Sequence, residues 1–258
     1  MNVDVQQFPD RAELCFQAAE SLLDVVTSAL QQRGIAHVVL TGGSTGIGIL
    51  TALSERRRAR TALDWSNVHF WFGDERYLPE NDGDRNSLQA DQSVLNELVA
   101  EGLIGQAQVH RVAGPDASKD IADAARRYSE ALAEAASTSP GPDARLPRFD
   151  VLLLGVGPDA HVASLFPDRS GPTELGATVI PVENSPKPPS LRVSLTVEAI
   201  NTADRVWFVV AGADKADAVG SVRAAQQAGE RDAQRLPASL VQGRQETVWW
   251  LDDAAAGL

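Results

Sequence analysis

The chain has one cysteine, Cys15, in 258 residues, and a lone thiol cannot close an internal disulfide, so no disulfide framework holds the fold. Cys15 sits among helix-spaced apolar positions and reads as a small buried hydrophobe. Long apolar runs are also missing: each block ends far short of the roughly 20 residues a membrane-spanning helix needs. Met1 to Asp10 lacks the basic-then-apolar pattern of a secretory signal. These absences predict a soluble, cytoplasmic protein with no membrane partner. Positive charge is scarce as well. With 23 Lys and Arg against 35 Asp and Glu, the net charge of −12 repels polyanions at long range. No basic cluster is interleaved with aromatics, so nucleic acid is not an expected partner. The densest basic run, Arg56, Arg57, Arg58 and Arg60, falls at the end of a predicted helix and reads as a solvated helix end that complements the dipole.

A hydrophobic content of 43% is ample for a buried core, which argues against disorder. Leu14, Ala18, Leu22, Val25, Val26, Ala29 and Leu30 recur at helical spacing up to a stop at Gly34. His37 to Thr41, Val68 to Phe72, Phe149 to Gly155 and Val206 to Ala211 read as sheet-centre strands. Helical patterns cover Ser87 to Val99, Ile121 to Ala135 and Asp214 to Gln226, and shorter strands are expected at Thr178 to Val182, Leu191 to Leu195 and Thr247 to Leu251. The alternation predicts an α/β fold with a mostly parallel sheet flanked by helices, in which ligands bind beyond the carboxyl ends of the strands. The proline-containing stretch Ser137 to Pro147 is too short to separate two cores, so residues 1–258 read as one domain.

Three predicted strand ends carry chemistry. At Thr41-Gly42-Gly43-Ser44-Thr45-Gly46 a strand meets a helix expected to open at Ile47. Gly42 and Gly43 let backbone amides approach an anion, and Ser44 and Thr45 add hydroxyls, which makes a phosphate cradle. The bland alternative is a tight turn with ordinary capping by Ser44 or Thr45. The loop lacks the Gly-Lys-Ser/Thr of a nucleotide phosphate loop, and its match to G-x-S-x-G admits a serine hydrolase with Ser44 as nucleophile. At Gly73-Asp74-Glu75-Arg76 three charges follow an apolar strand and are expected to emerge at its edge, with Asp74 placed to orient a hydroxyl or a base. The polar stretch Glu80 to Asn86 has the length of a lid. At Gly155-Val156-Gly157-Pro158-Asp159-Ala160-His161, Asp159 is expected to cap a short helix with His161 in its first turn, facing the ligand edge. An imidazole there suits proton abstraction from water near neutrality. His37, His69 and His110 lie in strand patterns and read as packing or surface residues. Lys187 on a proline-rich loop, Arg192 entering a strand, and Lys215 at a strand-to-helix junction are the basic residues expected around an anion.

The ordered set TGGST (Thr41 to Thr45), WFGDERYLP (Trp71 to Pro79), DVLLLGVGPDAHVASLFP (Asp150 to Pro167), SPKPPSLRVSLT (Ser185 to Thr196) and AGADKADAV (Ala211 to Val219) resembles the 6-phosphogluconolactonases nearly end to end. The resemblance implies a Rossmann-like fold similar to the glucosamine-6-phosphate deaminase group. It implies a small phosphosugar lactone as substrate, hydrolysis within the oxidative pentose phosphate pathway, and no metal or other cofactor. By the same resemblance His161 is the general base, Asp74 an acidic partner, and Gly43, Ser44, Arg192 and Lys215 hold the 6-phosphate. Arg76 and the amides of Gly157 to Asp159 are candidate oxyanion donors. Deaminases of this group carry an extra carboxylate after the histidine, whereas Ala163-Ser164-Leu165-Phe166-Pro167 supplies none, so lactone hydrolysis is expected over amine release. Two positions depart from the family pattern: Ala160 where glycine is usual, and Gly46 where proline is usual at a helix start. If position 160 is left-handed, alanine costs roughly 1–2 kcal/mol there. Gly46 predicts a more mobile loop. A phosphosugar-sensing module is the reading from another class, but no basic helix-turn-helix precedes the sheet. The chain is expected to be a monomer or a weak homo-oligomer.

Overall fold

The computed structural model describes residues 3–60 and 63–258. Its strands are β1 (Val3–Phe8), β2 (Ala36–Leu40), β3 (Val68–Phe72), β4 (Asp74–Arg76), β5 (Val151–Leu154), β6 (Val179–Val182), β7 (Arg192–Leu195), β8 (Arg205–Val210) and β9 (Glu246–Asp252). Its helices are α1 (Arg11–Arg33), α2 (Gly43–Arg57), α3 (Asn86–Ala90), α4 (Asn96–Ala100), α5 (Ile121–Thr138), α6 (Val197–Ile200) and α7 (Ala216–Ala228). A π turn at Asp91–Leu95 joins α3 to α4, so the predicted helix Ser87 to Val99 forms with one widened turn in its middle.

The main sheet runs β1-β9-β8-β5-β2-β3 with every neighbouring pair parallel. Alternate residues of its central strands face two separate apolar layers. Val39, Trp71, Leu152 and Leu154 pack with α5 and α7 on one face, and Val38, Leu40, Phe70, Phe72, Val151 and Leu153 pack with α1 and α2 on the other. That is why these strands read as continuous apolar runs rather than alternating ones. Helix α1 begins where the Asp10 carboxylate accepts from Glu13 N at 2.9 Å and ends at Gly34, whose φ of 74° closes it. At the sheet edge the buried Tyr128 hydroxyl accepts from Phe72 N and donates to Phe72 O, standing in for a missing neighbour strand.

A second sheet, β4-β7-β6, is antiparallel. Asp74 to Arg76, expected at the carboxyl edge of β3, follow it there as strand β4, with Asp74 7% and Glu75 1% exposed and Arg76 partly buried. A correction concerns the basic run at the end of α2. Arg57 is buried and bonds both carboxylate oxygens of Glu101, Arg56 and Arg60 pair with Glu20, and Arg58 pairs with Glu97. The acidic surface recruits these charges as a lattice linking α2 to α1 and α4. The edge strand β1, which leaves most of its side chains exposed, had no apolar signal to announce it. Among the described residues no helix is long and apolar enough to cross a membrane.

Candidate active site

The carboxyl ends of β2, β3, β5 and β8 open onto one cleft of about 240 Å³. Of the residues singled out from sequence, Gly42, Gly43, Ser44, Thr45, Asp74, Arg76, His161, Lys187, Arg192 and Lys215 line it. Asp159 does not line it, but lies directly behind His161.

The glycine loop forms the cleft's floor. Helix α2 opens at Gly43, four residues earlier than expected, so Ser44 and Thr45 are inside its first turn and cannot be its N-cap. The N-cap is Gly42, which offers no side chain, and Gly43 takes a φ of 79° that its neighbours could not share without strain. The first-turn amides are left without a capping oxygen, at the positive end of the helix dipole. Gly46 is consequently the fourth residue of the helix and not its start. A Cβ there would lie 2.5 Å from the Thr41 carbonyl, so this glycine serves close packing of helix on strand.

The histidine segment departs from the expected short helix. Residues 155–166 fold as two tight turns: Gly157 N donates to His161 O at 3.0 Å, Ala160 N to Gly157 O at 2.9 Å, and Leu165 N to Val162 O at 2.9 Å. Ala160 (φ 62°) and Ala163 (φ 47°) are both left-handed, which no helix accommodates. The turn brings the Asp159 carboxylate to 2.5 Å from His161 Nδ1 instead of capping anything. The imidazole lies on Gly157, where a Cβ would overlap the ring, and tilts against Phe166 at 4.6 Å between centroids. Lys187 Nζ completes the group, 3.1 Å from Asp159 Oδ1 and 3.2 Å from His161 Nδ1. Burial alone would raise the Asp159 pKa, but the hydrogen bond and charge of His161, joined by those of Lys187, hold it well below the usual carboxylate range. An ionised Asp159 can accept the Nδ1 proton, and in that tautomer Nε2 is the basic nitrogen of the ring.

On the opposite wall the second sheet supplies Asp74 and Arg192. Asp74 Oδ2 accepts from Ser164 Oγ at 2.6 Å and lies 3.8 Å from Arg192 Nη1. It makes no hydrogen bond to His161. The Arg192 guanidinium is fixed from behind by the carbonyls of Pro188 (3.1 Å) and Pro189 (3.2 Å), and burial lowers its pKa against the opposing pull of Asp74. Arg76 donates to Asp84 O while its Nε is buried without a partner among the described residues. Of the proposed oxyanion amides, Gly157 N is already committed to His161 O and Pro158 has no N–H. Lys215 is 2.9 Å from Asp214 at the cleft rim.

The model of the family described as glucosamine-6-phosphate isomerases/6-phosphogluconolactonase matches residues 9–250. The chain belongs to this family. A 6-phosphogluconolactonase of Streptomyces coelicolor is 46% identical over 249 residues, covering 96% of this chain and 91% of the relative. One of Mycobacterium tuberculosis is 42% identical over 261 residues, covering all of this chain and 99% of the relative. Among solved structures, the 6-phosphogluconolactonase of Thermotoga maritima superposes with a TM-score of 0.79 at 25% identity, covering 98% of this chain and 100% of that one. A monomeric glucosamine-6-phosphate deaminase gives 0.76 at 18% identity over 99% of each chain, a likeness of fold alone.

Within this glucosamine-6-phosphate isomerase/6-phosphogluconolactonase fold, several site residues escaped the sequence reading. Asn86 lines the cleft, and Ser164 holds Asp74. Glu75 accepts from the backbone N–H of Arg76, Asn86 and Ser87 at 2.8–2.9 Å and so pins α3 to β4. A long-range pairing of this kind leaves no periodic or motif signal. The polar stretch expected as a lid is tethered at its end: the buried Arg85 guanidinium donates to Leu78 O at 2.8 Å and Val112 O at 2.5 Å.

Proposed function

We propose that the protein hydrolyses 6-phospho-D-glucono-1,5-lactone to 6-phosphogluconate, the ring-opening step of the oxidative pentose phosphate pathway. The observation that carries this reading is one imidazole, held at Nδ1 by Asp159, sharing a cleft with an uncapped helix start. The named activity of full-length relatives at 42–46% identity supports it.

In this mechanism the 6-phosphate occupies the first turn of α2, where Gly43 and Ser44 donate and Arg192 and Lys215 supply charge. His161 Nε2 takes a proton from water as the water oxygen bonds to C1 of the lactone. The carbonyl electrons move onto oxygen, and the tetrahedral oxyanion collapses by breaking the bond from C1 to the ring oxygen, which takes back the proton. Arg76 Nε, a buried donor with no partner among the described residues, is the best candidate to meet the oxyanion. Lys187 keeps Asp159 ionised, and Asp74 holds Arg192 and Ser164 in register. Serine catalysis has less support, because Ser44, in the first turn of α2, makes no hydrogen bond to His161.

The test is a coupled assay in which glucose-6-phosphate dehydrogenase generates the lactone in place. The expected result is clearance well above the spontaneous rate, lowered by about 10² to 10⁴ in His161→Ala with 6-phosphogluconate affinity nearly unchanged. Ammonia release from glucosamine 6-phosphate, without lactone clearance, would transfer the assignment to the deaminase branch.

A further inference from the structure

Asn86 is 2% exposed and lines the cleft, and its side-chain Oδ1 is a buried acceptor with no partner among the described residues. Its surroundings are otherwise saturated. The backbone N–H donates to Glu75 Oε1 at 2.8 Å, and Nδ2 donates to the Asp74 carbonyl at 2.9 Å while lying 3.3 Å from Asp74 Oδ1. Two oxygens on that side fix the amide's orientation: turning Oδ1 toward them would set acceptor against acceptor. Oδ1 therefore faces Gly42, close enough that a Cβ on residue 42 would overlap it. An unmet buried acceptor is destabilising, and this one belongs to a residue that lines the cleft, where a ligand can supply the missing donor.

We propose that Asn86 is a specificity-determining residue whose Oδ1 accepts a hydrogen bond from a hydroxyl of the sugar ring. The inference rests on the lactonase reading and adds a recognition element to it. An amide oxygen can only accept, and neither a phosphate dianion nor a lactone carbonyl has a hydrogen to give. The ligand group that fits is a hydroxyl. The polar side chains around the cleft are chiefly donors: Arg76, Lys187, Arg192 and Lys215. Asp74 is the other acceptor on that wall, and its Oδ2 already accepts from Ser164. A polyhydroxylated ring bound here needs an acceptor, and Asn86 holds one rigidly between the phosphate cradle and Asp74.

The test compares the parent lactone with its 2-, 3- and 4-deoxy analogues, each made in place by oxidising the matching deoxyglucose 6-phosphate. Wild type is expected to lose at least about tenfold in kcat/KM on one analogue, because a site built to bond a hydroxyl rejects the ligand lacking it. Asn86→Ala is expected to lose a similar factor on the parent lactone, chiefly in KM, and to fall no further on that analogue. Its ratios on the other two stay as in wild type. Equal losses on every lactone, or a wild type indifferent to all three deletions, would overturn the proposal. Asn86→Ser serves if the alanine variant does not fold. Should wild type clear no lactone, the parent reading fails by itself, and calorimetric binding of 6-phosphogluconate and its deoxy forms then decides Asn86 by the same pattern. No binding at all would sink both.

Discussion

Ala160 illustrates how a local penalty can be absorbed. Its φ of 62° costs an alanine roughly 1–2 kcal/mol relative to glycine. Its methyl, however, is 2% exposed in the core around Val162 and Leu165, worth about 0.8 kcal/mol. Glycine would also gain about 0.4–1 kcal/mol of unfolded-chain freedom. The contributions nearly cancel, so Ala160→Gly is expected to shift stability by less than about 1 kcal/mol in urea unfolding. Ala160→Val adds a β-branch in a region such residues avoid, and is expected to cost more than about 2 kcal/mol in the same measurement. At Gly157 the proposed mechanism makes the sensitivity functional, since the His161 ring and the Asp159 carboxylate occupy the space a Cβ would need. Gly157→Ala is expected to lower kcat at least about 100-fold, toward the loss seen on removing a general base, while far-ultraviolet circular dichroism stays unchanged. A fully active Gly157→Ala would mean that the imidazole need not rest on this backbone.

At the scale of elements, the cleft depends on two sheets meeting. Gly73 ends the parallel sheet at β3, and β4 joins the antiparallel sheet, turning Asp74 toward Arg192 of β7. The join is secured by Glu75, whose carboxylate gathers the N–H groups that open α3. Burial pushes the Glu75 pKa up, against the pull of Arg85 and these hydrogen bonds. Glu75→Gln replaces one accepting oxygen with an amide nitrogen that must face a backbone N–H, so it is expected to cost about 1–3 kcal/mol by chemical denaturation. Because α3 carries Asn86, the same variant is expected to weaken substrate binding before it affects turnover.

For the whole molecule, the three histidines outside the cleft form a stack: His37 against His69, His69 against His110, and His110 on Trp71 at 3.6 Å between centroids. Burial, reinforced by the neighbouring rings, lowers the His37 pKa to about 3 and that of His110 to about 4, and burial lowers His69 too. The unfolded chain, with histidines near 6.5, therefore takes up protons first as pH falls. Stability from this stack is complete above about pH 7 and is lost from about 6.5 downward, with a limiting slope near 1.4 kcal/mol per pH unit for each ring. Burial raises the Glu75 and Asp150 carboxyls, which works in the opposite direction at lower pH. Urea midpoints at pH 7, 6 and 5 are expected to fall, and His110→Phe, which keeps the stack on Trp71, is expected to flatten the fall. A midpoint independent of pH in wild type would remove the stack from acid sensitivity.

The sequence by itself determined the alternation of strands and helices and the strand ends that meet at the cleft, because those depend on residues close in the chain. Apolar runs of strand length, Gly34 as a stop, and glycines beside Ser44 and shortly before His161 are local facts with local physical causes. It could not determine that Asp159 would brace His161 rather than cap a helix, since that follows from the left-handed turns at Ala160 and Ala163. Nor could it reveal that Asp74 and Glu75 would be buried, or that Asn86 would face Gly42. Those outcomes come from β4 pairing with a strand more than a hundred residues away and from desolvation that forces each buried polar group to find a partner. Only the tertiary structure could decide which partner each one finds.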